Sequence, residues 1–254
     1  MGKLLERRTK REPIPELRDG DRLDTAEFLR RYEATPEGFR AELINGVVYV
    51  NRWIEVGPNG EERVMPPISG GGRGHAGPQM TIIGAFANYM AGTPGADASA
   101  PATLVLSPVD SAPEPDAMMR ILPECDGASY LGDDQYYHGP PELVVEIARS
   151  TVKIDLGSKF DMYERNGVQE YVVWRVRQGV IDWFQLERGE YQPIEPDADG
   201  ILKSRVFPGL WLDPKALVAG DMAKVLAVVQ RGIASPEHAK FVEKLRKKAA
   251  KKKR

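Results

Sequence analysis

The chain has 254 residues, of which 42% are hydrophobic and 28% charged, with a formal net charge of -2; that is enough length and apolar content for one large α/β domain. Its single cysteine, Cys125, excludes an internal disulfide and a cysteine-rich zinc site, and suits a reducing cytoplasm. No apolar run approaches the ~18 residues of a membrane span and no signal-peptide pattern follows Met1, so neither membrane insertion nor export is expected.

Residues 1–22, charged and proline-containing, read as a flexible N-terminal arm. Asp24-Thr25-Ala26-Glu27 has the form of an N-cap with a glutamate three residues on, opening a short helix to about Tyr32. Phe39 to Val50 predicts a hairpin turning at Asn45-Gly46, with Glu42 on its first strand. A Gly- and Pro-rich stretch follows, with a turn at Asn59-Gly60 and a flexible connector over Gly70-Gly71-Gly72-Arg73-Gly74. Met80, Ile83, Phe86, Ala87 and Met90 recur at helical spacing, which predicts a helix over 76–90 packed on a sheet.

Thr103 to Leu106, Ala117 to Ile121 and Glu142 to Ala148 read as strands, and 153–166 as one helix ending at Gly167. Tyr171 to Arg175 and Val180 to Leu186 pair around Gln178-Gly179, followed by a hairpin-like stretch through Phe207 and a helix over 214–230. The domain is therefore expected over 23–231, with 232–254 as a basic C-terminal tail. Eight Lys and Arg residues lie between Lys244 and Arg254, and without them the net charge of -2 becomes -10. Such a tail is either a solvated helix end or a phosphate contact. His138 and His238 are expected at the surface, and Tyr163, Tyr171, Trp174 and Trp183 in packing roles.

Glu146 stands out because Leu143 to Ala148 is otherwise apolar, and an ionised side chain in such a strand is costly unless paired or metal-bound. Asp116 also adjoins a strand, so strand pairing would join the two carboxylates into a hard-oxygen site for Mg²⁺ or, alternatively, Mn²⁺. Lys159, on the next helix, would then assist the attacking water or the phosphate. Blander readings stand beside these. Asp116 is a turn residue after proline, Glu146 a structural ion pair with Arg149 or Lys159, Lys159 a surface partner of Asp155, and Glu42 an exposed strand residue.

Pro115-Asp116, Pro141-Glu-Leu-Val-Val-Glu146-Ile and Asp155-Leu-Gly-Ser-Lys159-Phe-Asp-Met-Tyr163, continuing to Trp174, together resemble the Uma-two family of restriction-endonuclease-like proteins, a branch of the PD-(D/E)XK nuclease superfamily. Phe39-Arg-Ala-Glu42-Leu-Ile-Asn-Gly46 and Phe207-Pro-Gly-Leu-Trp211-Leu extend the likeness. It implies an α/β fold with a restriction-endonuclease-like mixed sheet flanked by helices, plus N-terminal and C-terminal β-hairpins. It implies Asp116 and Glu146 as metal ligands, with Lys159 and Glu42 as catalytic residues. His75, where the family often has a histidine, is either a substrate contact or a solvent-facing residue at a helix start, and Arg73, read from the glycine loop itself, is a candidate contact to a nucleic-acid backbone. The implied activity is Mg²⁺-dependent hydrolysis of DNA phosphodiesters, and a homodimer would suit cutting both strands. The superfamily lysine would lie two residues after the glutamate, where this chain has Ala148, so the basic role passes to Lys159. The alternative is a catalytically inactive nuclease-fold module that binds DNA or a protein partner.

Overall fold

The computed structural model describes residues 13–36, 39–50, 53–56, 62–65 and 72–252, and for 53–56, 62–65 and 72–75 the backbone alone. Helix α1 (Thr25–Tyr32) starts where Asp24 caps it, the carboxylate accepting from Glu27 N at 2.8 Å. Strands β1 (Ala41–Ile44) and β2 (Val47–Val50) form the expected hairpin. Its turn needs positive φ at both central residues, and Asn45 (52°) and Gly46 (76°) supply it. The arm ahead of α1 is partly fastened to this hairpin: Leu17 is buried, and Gly20 N donates to Val48 O.

Strands β3 (Trp53–Val56) and β4 (Glu62–Met65) pair as a second hairpin. Helix α2 (Gly72–Gly92) begins four residues earlier than its apolar spacing predicts, taking in Arg73 and Gly74, which sequence alone assigns to a loop. Asn59-Gly60, Gly70 and Gly71 lie outside the described residues.

Strands β5 (Ala96–Ser99), β6 (Leu104–Val105) and β7 (Ala117–Ile121) come next, then a single 3-10 turn at Pro123–Cys125. Strands β8 (Tyr130–Leu131) and β9 (Tyr137–His138) join β6 in a small sheet. The central sheet adds β10 (Leu143–Ala148), β11 (Glu170–Arg175), β12 (Val180–Glu187) and β13 (Glu190–Pro193), in the order β13-β12-β11-β10-β7-β5. Only the β10–β11 pair is parallel, so the sheet is mixed.

Every residue of β10 is buried, as a strand covered on both faces requires. Val145, Ile147, Val172 and Trp174 face a core that includes Phe86, Tyr89 and Phe207. Val144, Ala148, Tyr171 and Val173 face another that includes Met162 and Tyr163. Burying each of these larger aliphatic chains contributes roughly 1.5–3 kcal/mol, an upper estimate for area removed from water.

The stretch 153–166, expected as one helix, is two: α3 (Val152–Asp155) and α4 (Ser158–Arg165). The break falls at Gly157, where an added Cβ would stand 2.5 Å from the Lys153 carbonyl oxygen. Strands β14 (Leu202–Lys203) and β15 (Trp211–Leu212) form a small hairpin. The helix expected over 214–230 is likewise split, into α5 (Pro214–Ala219) and α6 (Met222–Ile233), at Gly220 with φ 67°. Beyond it, 236–252 is no bare tail. It forms α7 (Pro236–Lys252), whose His238, Phe241, Val242 and Leu245 are buried.

Candidate active site

The β7–β10 ladder runs Met119 opposite Leu143, Met118 opposite Val144 and Ala117 opposite Val145. Asp116 immediately precedes β7, at the end of this ladder, and is close enough to Glu146 to act on it electrostatically. The backbone around them is clamped. Ile147 N donates to Asp116 Oδ2 at 2.6 Å, and Gln79 Nε2 on α2 donates to the Asp116 carbonyl at 2.9 Å.

Helix α4 delivers two donors to Glu146. Lys159 and Tyr163 are four residues apart and therefore on one helix face. Lys159 Nζ and Tyr163 Oη each lie 2.9 Å from Glu146 Oε1. Lys159 Nζ also sits 2.8 Å from Glu42 Oε1, which in turn accepts from Glu114 N at 2.8 Å. The hairpin carrying Glu42 is held there from two sides. Leu43 and Ala112 exchange backbone hydrogen bonds, and Asn45 Nδ2 donates to the Ser158 carbonyl at the start of α4.

Charge in this pocket is unbalanced. Lys159 and Glu146 are buried, and Glu42, Asp155 and Asp116 are all close enough to act electrostatically on Glu146. Burial, reinforced by these acids against the opposing pull of Lys159, pushes the Glu146 carboxyl well above its ordinary range. Burial also raises Asp155, although Thr151 Oγ1 donates to it at 2.6 Å. Against the cost of its own burial, the surrounding acids hold Lys159 well above the usual lysine value. One cation among four carboxylates leaves negative charge for protons or a further cation to neutralise.

The residues present fit a divalent ion. Asp116 and Glu146 are hard oxygen donors close enough to interact, and Mg²⁺ is commonly bound by one or two carboxylates while retaining waters. Among the described residues no group of three or more His, Cys, Asp or Glu side chains is arranged to hold a metal, so protein would supply only part of a coordination shell.

Of the residues singled out in the sequence, Lys159 touches both Glu42 and Glu146, and Asp116 lies close enough to act on Glu146. Arg73 and His75 fall in the first turn of α2, where the side chains lie outside the described residues. The blander pairing of Lys159 with Asp155 is replaced by contacts to Glu42 and Glu146. Tyr163 has its ring in the core as expected, yet its hydroxyl reaches Glu146. Its position four residues after Lys159 was the available signal. Two histidines expected at the surface have partners: His138 Nε2 lies 2.9 Å from Asp134, and buried His238 Nε2 lies 2.9 Å from Thr93 Oγ1.

Comparison with known proteins bears on the same residues. A sequence profile of the Uma2 family, described as "Putative restriction endonuclease", matches residues 51–215. The chain belongs to the Uma2 family. Asp116, Glu146 and Lys159 lie inside the Uma2 match, whereas Glu42 precedes it and α6 and α7 follow it. A solved structure described as a putative nuclease belonging to DUF820, from Anabaena variabilis, has a similar fold. It superposes with a TM-score of 0.54 at 17% identity, over 78% of this chain and 98% of that one. No curated protein matches the chain. Among the described residues, no helix is long and apolar enough to cross a membrane.

Proposed function

We propose that this chain is a metal-dependent endonuclease that hydrolyses DNA phosphodiesters, with Asp116 and Glu146 holding Mg²⁺ or Mn²⁺. The observation that carries the reading is Lys159 Nζ at 2.9 Å from Glu146 Oε1. The strand position that would hold the superfamily lysine is Ala148, buried and inert, and α4 brings an ammonium to the same glutamate from outside the sheet. Held by Asp116 and Glu146, the ion would polarise the phosphodiester and lower the pKa of an attacking water.

The chain's own residues supply the rest. Because the acids around Lys159 hold its pKa high, it stays an ammonium at neutral pH. Its role is then a fixed cation facing a phosphoryl oxygen, rather than a base that takes a proton. Glu42 is a second anchor for that cation beside Glu146, and Tyr163 fixes the Glu146 carboxylate through Oε1.

The rival reading, an inactive module binding DNA or a protein partner, draws on the same contacts, since Lys159 bridging two glutamates is also a self-contained buried network. Incubating plasmid, linear duplex and single-stranded DNA with Mg²⁺ or Mn²⁺ separates the two. The wild type is expected to cut, and Glu146→Ala to fall to background. Equal background from both at every metal concentration sinks the enzyme reading.

A further inference from the structure

Helix α7 lies beyond the residues matched by the family and has two unlike faces. His238, Phe241, Val242 and Leu245, at helical spacing, are buried against the body of the chain. On the other side Lys240, Lys244, Lys247, Lys248 and Lys251 line one shallow groove with Glu243. Their spacing of four, three, one and three residues keeps them on a single stripe. Little in the chain neutralises that stripe. Glu243 pairs with Lys247 at 2.6 Å and Asp126 with Lys248 at 3.2 Å. Lys240, Lys244 and Lys251 have no ion-pair partner among the described residues.

We infer that the lysine stripe of α7 is a docking surface for the phosphate backbone of duplex DNA. The inference rests on the nuclease reading only for its choice of polyanion. Charge complementarity supports it: five lysines in line, on a body that is otherwise net negative, match a uniformly anionic rod. From Lys240 to Lys251 the helix rises about 16 Å, a length over which duplex DNA presents about ten charges. The stripe is also held in place, because its apolar face is packed and Lys252 Nζ donates to the Pro123 carbonyl at 2.6 Å. The same packing argues against a lipid surface, since α7 has no apolar face left to insert.

The stripe stands away from the acidic pocket. Asp116 precedes β7, whereas α7 packs on the 3-10 turn that follows it, and five residues of strand, roughly 17 Å, separate the two ends. It therefore adds affinity without touching the reacting phosphate.

The test is binding of a labelled duplex to the full chain in EDTA, at several salt concentrations, with no cleavage required. Replacing Lys240, Lys244 and Lys251 with alanine breaks no ion pair among the described residues, and an unchanged thermal melt shows that the variant folds. Its affinity at 0.1 M salt is expected to drop about tenfold or more, and the slope of log K against log salt to become shallower by about 2.7, near 0.9 per lost contact. Arginine at the same three positions should restore both. Unchanged affinity and slope in the alanine variant overturn the inference, as does retention on anionic vesicles with no retention of DNA. If the lysine dependence holds while no metal ion supports cleavage, the nuclease reading fails alone. If cleavage depends on Glu146 while binding ignores the lysines, the stripe fails alone.

Discussion

Glu146 on β10 and Glu170 on β11 are buried carboxylates on adjacent strands of one sheet, and their surroundings differ in kind. Glu170 is saturated: Trp183 Nε1 and Ser204 Oγ donate to Oε2 at 3.2 and 2.7 Å, while Arg205 N and Val206 N donate to Oε1 at 2.6 and 3.1 Å. Both oxygens are spent on holding the loop after β14 against the sheet. At Glu146 both donors converge on Oε1, and three more acids crowd the carboxylate. Neutral donors on both oxygens mark a structural acid. At Glu146 one ammonium and one hydroxyl meet a carboxylate crowded by three further acids, and its second oxygen carries neither of these two bonds.

Exchanging each glutamate for glutamine breaks or sharpens that contrast, and the largest effect is on cleavage. Glu146→Gln is expected to cost about 10³-fold or more in turnover with a thermal melt near that of the wild type. Glu170→Gln should keep cleavage in whatever fraction is folded and lose about 1–3 kcal/mol of stability in denaturant titration, because an amide nitrogen then faces donors. Equal loss of turnover in folded samples of both variants would erase the distinction.

The next effect concerns pH. Burial raises Glu170 from 4.5 to about 7, so the folded state keeps a proton that the unfolded chain releases between those values. Its contribution is full below pH 4.5 and disappears as pH rises through about 7. The wild type minus Glu170→Gln difference in unfolding free energy should therefore be largest below pH 4.5 and decline as pH rises through about 7. A flat difference would mean the four donors keep Glu170 ionised throughout.

Smallest is Tyr163→Phe, which removes one of two donors from Glu146 and leaves Lys159 in place. A loss of about 10-fold in turnover is expected, the size seen when an outer partner of a metal ligand is removed. A shift in the metal concentration needed for half-maximal rate should accompany it. Turnover and metal dependence identical to the wild type would reduce Tyr163 to packing.

The strands and the hairpin were legible because apolar runs and an Asn-Gly pair act locally. Glu146 was legible because one charge in an apolar strand is conspicuous. Its link to Lys159 and Glu42 was not a local matter: the family resemblance grouped the three, and only tertiary packing sets their contacts. Gly157 was hidden for a similar reason, since helical spacing on either side runs through it and the clash with the Lys153 carbonyl exists only in three dimensions. The packing of the basic C-terminal stretch was not legible because Phe241, Val242 and Leu245 stand singly or in pairs among lysines, and only tertiary contact shows that they fasten α7 to the core.

A lysine two residues from its glutamate on the same strand would be positioned by the ladder itself, and would keep its place for as long as the sheet did. Lys159 instead rides on a two-turn helix behind a break at Gly157, held by Phe160 against Tyr171, Phe184 and Tyr191. Its alignment is thus set by aromatic packing of α4 on Tyr171, through Phe160 and Tyr163, rather than by strand register.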